Sequence, residues 1–151
     1  MRILFVCLGN ICRSPIAEGV MRELVRQQGV PWTVGSAGTN SYHTGEPPHR
    51  HSQRVCAERG VDISGQRARR FCAEDFADYD LVYAMADDVL DEMRSMAGPL
   101  FDEGKASLFL DELYPGEHRS VPDPWYGDLQ GYYPVYAMIE EGCRAILNKY
   151  S

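Results

Sequence analysis

Cys7 and Arg13 bracket five residues, Leu8-Gly9-Asn10-Ile11-Cys12, and Ser14-Pro15 follow directly. A cysteine that opens a short loop and an arginine that closes it are groups suited to holding and attacking a tetrahedral oxyanion. A loop of this length wraps one phosphate-sized dianion. Its N–H groups turn inward, the sulfur lies beneath the phosphorus, and the guanidinium grips two oxygens. Arginine suits the task because its planar fork binds oxyanions bidentately. Positive surroundings favour thiolate over thiol, so a site that holds phosphate also makes the nucleophile. Two familiar nucleotide loops are excluded, because neither Gly-x4-Gly-Lys-Ser/Thr nor Gly-x-Gly-x-x-Gly occurs in this turn. Cys-x5-Arg alone is a weak pattern, and its plain alternative is a buried strand-end cysteine near a surface arginine. Gly9 within the segment and Ser14-Pro15 behind it favour the chemical reading.

The elements around this segment must deliver Cys7 at a strand end and Arg13 at a helix start. Ile3 to Val6 is continuously apolar and β-rich, as in a strand buried on both faces. Ser14-Pro15 reads as a helix start, Ile16, Ala17, Val20, Met21 and Leu24 recur at helical spacing, and Gly29 ends the helix. Trp32 to Ser36 reads as a second strand, so the first 36 residues form a strand–helix–strand unit of a parallel sheet. Such a turn collects backbone N–H groups and a helix dipole around an anion. Thr39 to Pro48 reads as a loop, followed by a helix to about Arg59 stopped by Gly60. Leu81 to Met85 is a third strand. Asp87 is placed to cap a helix carrying Val89, Leu90 and Met93, and Ser107 to Leu110 is a fourth strand. A loop from about Tyr114 to Gly131 holds three of the nine prolines, and Val135, Met138, Ile139, Ile146 and Leu147 mark a last amphipathic helix. The alternation predicts a single α/β domain over residues 1–151. Its open four-stranded parallel sheet carries helices on both faces in a flavodoxin-like, three-layer arrangement, with ligands at the carboxyl ends of the strands.

Bulk composition agrees with one compact domain. The chain has 151 residues, 44% hydrophobic and 25% charged, with no stretch of membrane-spanning length. The N-terminal apolar run lacks the length and cleavage site of a signal peptide, which places the protein in the cytoplasm. A formal net charge of −7 disfavours nucleic acid and anionic membrane as partners. The five cysteines, Cys7, Cys12, Cys56, Cys72 and Cys143, are odd in number and contain no Cys-x2-Cys pair, which argues against a disulfide framework and a cysteine zinc site. His43, His49 and His51 complete no recognised metal spacing and read as loop histidines, so no metal is expected. Arg67, Arg69 and Arg70 read as a solvated basic face. Tyr132, Tyr133 and Tyr136 fit either packing or modification.

The segment Val6 to Pro15, together with Ser36-Ala37-Gly38-Thr39 and Asp123-Pro124-Trp125-Tyr126-Gly127, resembles the low-molecular-weight protein tyrosine phosphatases over the full chain. The resemblance implies that Cys7 attacks phosphorus and forms a phosphocysteine. Arg13 and the loop from Leu8 to Ser14 would stabilise the transferring phosphoryl group. Asp123 would protonate the departing phenolic oxygen and then act as base on water. In isolation, Asp123 is a turn residue before proline. Asn10, Ser14 and Ser36 would brace the loop, with the Ser14 hydroxyl on the thiolate. Animal members carry a histidine in this brace, for which Gln66 is the candidate here. Ile11, Tyr42, Trp125 and Tyr126 would wall a slot deep enough to prefer phosphotyrosine over phosphoserine. Relatives that cleave phosphoarginine have threonine in place of Ile11. A reversible Cys7–Cys12 disulfide would protect the nucleophile. The implied partner is a phosphotyrosine-containing protein or peptide, with inorganic phosphate as product, no cofactor, and a monomer or weak dimer as the working form.

Two rival readings share these residues. An arsenate reductase also opens with a Cys-x5-Arg loop, but it needs closely spaced further cysteines, whereas Cys72 has no near neighbour. A non-catalytic phosphotyrosine-binding module has no need of Cys7, Arg13 and Asp123 together.

Overall fold

The computed structural model describes residues Met1–Ser151. Its elements alternate as β1 (Arg2–Cys7), α1 (Arg13–Gln28), β2 (Thr33–Gly38), α2 (Arg50–Ala57), α3 (Asp75–Asp78), β3 (Leu81–Ala84), α4 (Asp87–Ala97), β4 (Ala106–Leu108) and α5 (Tyr132–Tyr150). All four strands are parallel, in the order β2-β1-β3-β4. Ile3 on β1 pairs with Val34 on one side and Leu81 on the other. The chain leaves β1 toward β2 and later returns to β3 on the opposite side. The carboxyl end of β1 therefore lies at the point where strand order reverses, where such sheets open a crevice.

The side-chain alternation of a strand sends β1 into both layers. Ile3, Phe5 and Cys7 join a core with Ile16, Val20 and Met21 of α1 and Ile139, Cys143 and Ile146 of α5. Leu4 and Val6 join a second core with Phe71, Phe76, and Val89 and Met93 of α4. Because both faces of β1 are fully covered, the strand end that carries Cys7 is held rigidly.

Several boundaries differ from those the sequence suggests, each for a physical reason. α1 begins at Arg13, so Pro15 sits third in the helix, where its missing N–H still costs nothing. The Ser14 hydroxyl does not cap the helix; it points at Cys7. β2 runs on to Gly38 through its pairing with Cys7. Asp87 is the first residue of α4, not its cap. Its N–H donates to Ser120 Oγ at 2.8 Å, so the cap comes from a distant loop. β4 stops at Leu108, and a 3-10 turn (Phe109–Glu112) follows. Adjacent Phe109 and Leu110 both enter the same core, which a strand's alternation forbids. α3, a single turn, carries no periodic signal of its own.

Candidate active site

Cys7 ends β1 and Arg13 begins α1, so the intervening loop is stretched across the mouth of the sheet. Its carbonyls are tied outward. Cys7 O and Leu8 O accept from Thr39 N and Asn40 N, both at 3.0 Å. Ile11 O accepts from His49 N at 2.7 Å, and Cys12 O from Ser52 Oγ at 3.2 Å. With the carbonyls turned out, the amides of Leu8 to Cys12 make no hydrogen bond to the protein, as an anion cradle requires. Gly38 of β2 lies so close behind the loop that a Cβ there would stand 2.9 Å from both Gly9 C and Leu8 O.

Asn10 holds a left-handed backbone conformation (φ 59°), which costs a non-glycine residue on the order of 1–2 kcal/mol. Its buried side chain offsets that cost. Oδ1 accepts from Arg69 N at 3.0 Å, and Nδ2 donates to Ser14 Oγ at 2.8 Å and to Ser36 Oγ at 3.0 Å. An amide nitrogen only donates, so both serine oxygens accept from it. Ser36 then sends its own proton to Glu18 Oε1 at 2.6 Å. Ser14 is left to direct its proton at Cys7 Sγ, 3.0 Å away, or toward Ala37 O at 3.4 Å. Glu18 is buried and pairs with Arg22 at 3.1 Å. Asn10, Ser14 and Ser36 thus form the expected brace, but Gln66 is not in it. Gln66 Nε2 donates to Pro15 O instead, and the brace is completed by Glu18 and the Arg69 backbone. Arg69 is no simple surface charge either, since its guanidinium grips buried Asp75 at 3.1 and 2.9 Å.

Arg13 is 4% exposed. Its Nη1 donates to Val121 O at 2.9 Å, and its Nη2 lies 3.7 Å from Asp123 Oδ2. Val121 N in turn donates to Met85 O just beyond β3, at 2.8 Å. The proline-rich loop is thereby pinned to the sheet two residues before Asp123. Asp123 Oδ1 accepts from Trp125 N at 3.0 Å and caps the 3-10 turn Pro124–Tyr126. One Asp123 oxygen thus caps the turn while the other faces the arginine.

These groups meet in a cleft of about 210 Å³ with Cys7 and Arg13 among its lining residues. Leu8, Gly9, Ile11, Cys12, Tyr42, Asp123, Trp125 and Tyr126 line it, together with Asn40, which the sequence did not single out, and His43, read from the sequence only as a loop histidine. Asn10, Ser14 and Ser36 lie behind it. Tyr42 and Tyr126 are 84% and 88% exposed and stand at the rim. Cys12 faces away from solvent, with Sγ 3.4 Å from Tyr132 Oη, and burial pushes its thiol up to about 12. All five cysteines are free thiols here. Tyr132 and Tyr136 are buried packing residues, and Tyr133 donates to the Glu58 carboxylate at 2.8 Å. Of the three histidines read as loop residues, His43 lies in the loop, but His49 caps α2 and His51 lies within it, because His49 Nδ1 accepts the His51 N–H; their rings pack on Trp125, on Tyr132 and, for His49 and His51, on each other.

A parallel α/β sheet whose first crossover turn is a Cys-x5-Arg loop with inward amides, faced by an aspartate, is an arrangement suited to binding a phosphate-sized oxyanion. The comparisons with known proteins make the assignment narrower. Residues 2–150 match the family described as low molecular weight phosphotyrosine protein phosphatase. The human protein of that name is 38% identical over 150 residues, covering 97% of this chain and 94% of its own. The crystal structure of YfkJ from Bacillus subtilis superposes with a TM-score of 0.90 at 35% identity, covering 99% of this chain and 93% of that one. The Drosophila arginine phosphatase DARP superposes at 0.91 with 31% identity, covering 100% and 98%. The chain belongs to the low molecular weight phosphotyrosine protein phosphatase family.

Proposed function

We propose that this protein hydrolyses phosphotyrosine in proteins or peptides through a phosphocysteine. The Cys7 thiolate attacks phosphorus in line as the phosphorus–oxygen bond to tyrosine breaks. The carboxylic acid of Asp123 gives its proton to the departing phenolic oxygen. Water then attacks phosphorus and loses a proton to the Asp123 carboxylate, the phosphorus–sulfur bond breaks, and inorganic phosphate leaves. Arg13 and the amides of Leu8 to Cys12 hold the three equatorial oxygens throughout, where charge is spread in the transition state. The observation that carries this reading is the convergence of Cys7, Arg13 and Asp123 on one cleft walled by Ile11, Tyr42, Trp125 and Tyr126. The same reading includes a protective step. After peroxide oxidises Cys7 to a sulfenic acid, the Cys12 thiol displaces water to form a Cys7–Cys12 disulfide, which external thiol reduces.

A second reading, phosphoarginine hydrolysis, is favoured by the likeness to the Drosophila arginine phosphatase. The apolar Ile11 wall supports tyrosine, because it offers an aryl ring contact and a guanidinium no acceptor. The deciding experiment is metal-free release of phosphate from phosphotyrosine, phosphoserine and phosphoarginine peptides by wild type, Cys7→Ser and Asp123→Asn. Phosphotyrosine turnover that vanishes with Cys7→Ser and falls on the order of 10²-fold or more with Asp123→Asn supports the proposal. Preference for phosphoarginine moves the substrate but keeps the chemistry, whereas phosphopeptide binding without phosphate release overturns both.

A further inference from the structure

His49 stands where three parts of the molecule meet. Its backbone N–H donates to Ile11 O of the catalytic loop at 2.7 Å. Its Nδ1 accepts from His51 N at 3.1 Å and so caps α2. Its ring stacks on Tyr132 of α5 (centroids 5.5 Å, interplanar 19°) and meets Trp125 edge-on (5.3 Å, 78°). Trp125 is flanked on another side by His43 at 5.4 Å, and its N–H is the group that Asp123 Oδ1 binds. A chain of contact therefore runs from the His49 ring to the Trp125 indole, and from the Trp125 amide to the Asp123 carboxylate.

The cap fixes the tautomer. Because Nδ1 accepts a hydrogen bond, neutral His49 carries its proton on Nε2. A second proton would have to enter at Nδ1 and would end the cap. It would also place a positive charge at the N-terminus of a helix, where the dipole opposes it. Burial disfavours the imidazolium further, and His51 and Arg50 on the same element add repulsion. From the other elements the ring faces Tyr132, whose hydroxyl is taken by Cys12, and Trp125. Glu46, three residues before it, pairs with His43, and Asp123 is engaged by Trp125 N and Arg13.

We infer that neutral His49 is a positioning residue for the Asp123 loop, holding Trp125 so that the carboxylate stays over the cleft, and that its protonation releases the loop. The inference rests on the reading of Asp123 as general acid. A displaced general acid harms esters with poor leaving groups most, because a stabilised leaving group departs without a proton. A structural defect alone lowers the rate on all esters alike.

The test uses two readouts. In a Trp32→Phe/His43→Asn background, Trp125 is the sole indole of the two in the chain and His49 is the histidine ring left against it. Its fluorescence, quenched by a neighbouring imidazolium, should titrate with a midpoint below about 6.5, the ordinary histidine value. The transition should vanish when either His49→Asn or His49→Phe is added to that background. Second, kcat/KM is measured for phenyl phosphate and for p-nitrophenyl phosphate at neutral pH. His49→Asn, which keeps a good capping side chain but no ring, should lose on the order of tenfold more on phenyl phosphate than on the nitrophenyl ester. His49→Phe, which keeps a ring but no acceptor, should hold the ratio of the two esters within about twofold of wild type. A fluorescence transition that survives both His49 substitutions overturns the inference. So does an Asn variant in which both esters slow equally. If wild type hydrolyses neither ester, the proposed function fails, while the fluorescence titration still decides whether His49 holds Trp125.

Discussion

Replacing Gly38 by alanine tests whether the Cys7–Arg13 loop is shaped by the strand behind it. A Cβ built on Gly38 stands 2.9 Å from Gly9 C, 2.9 Å from Leu8 O and 3.0 Å from Asn10 N, where ordinary contact begins near 3.4 Å. All three atoms are backbone, so no side chain can rotate away. The loop must retreat by about 0.5 Å, against the ladder bonds from Thr39 N to Cys7 O and from Asn40 N to Leu8 O. Overpacking of this kind costs roughly 1–3 kcal/mol of stability. A misplacement of about 1 Å at a reacting centre costs on the order of 10²-fold in rate. Half that displacement, scaled logarithmically, predicts a fall of roughly tenfold in kcat/KM for an aryl phosphate. The assay pairs urea denaturation with steady-state hydrolysis, and Gly65→Ala is the control, since a Cβ there meets nothing within 4 Å. A Gly38→Ala protein with wild-type kcat/KM and an unchanged urea midpoint would refute the claim that close approach of β2 sets the loop.

Three further outcomes are expected. Asn10→Ala removes three hydrogen bonds and should cost about 3 kcal/mol by denaturant unfolding; Asn10→Gly, which relieves the left-handed strain, should recover about 1 kcal/mol of it, and a loss below about 1 kcal/mol for alanine would contradict the brace. Burial raises the thiols of Cys12 and Cys56 from an ordinary 9.0 to about 12, so the folded chain keeps protons that the unfolded chain gives up; stability should therefore fall as pH rises from about 9 toward 12, and in Cys12→Ser/Cys56→Ser that part of the decline, read as urea midpoint against pH, should disappear. After brief peroxide treatment, wild type should regain phosphatase activity on addition of dithiothreitol, and Cys12→Ser should not; equal recovery of the two would exclude the protective disulfide.

The residues from Val6 to Pro15 were enough to place an oxyanion loop at a strand-to-helix turn, because its geometry is local. A strand end, a short loop and a helix start are specified by neighbours in the chain. The apolar runs likewise determined the parallel α/β sheet, since strands buried on both faces need no alternation to be read. Other features depend on contacts far apart in sequence, and only the tertiary structure decided them. Asp123 as a plain turn residue and Asp123 as a turn residue opposite Arg13 look identical in sequence; the Val121 carbonyl on Arg13 and the Val121 amide on Met85 O bring that turn to the arginine. The brace passes through Glu18 and the Arg69 backbone rather than Gln66 because hydrogen bonding follows spatial reach, and a backbone N–H leaves no mark in a sequence. The same holds for α4, whose first N–H is bonded by Ser120 from another loop rather than capped by its own Asp87. The three histidines have no shared spacing, yet the fold gathers them around Trp125 and Tyr132, where burial and a single accepted hydrogen bond give His49 a tautomer and a task.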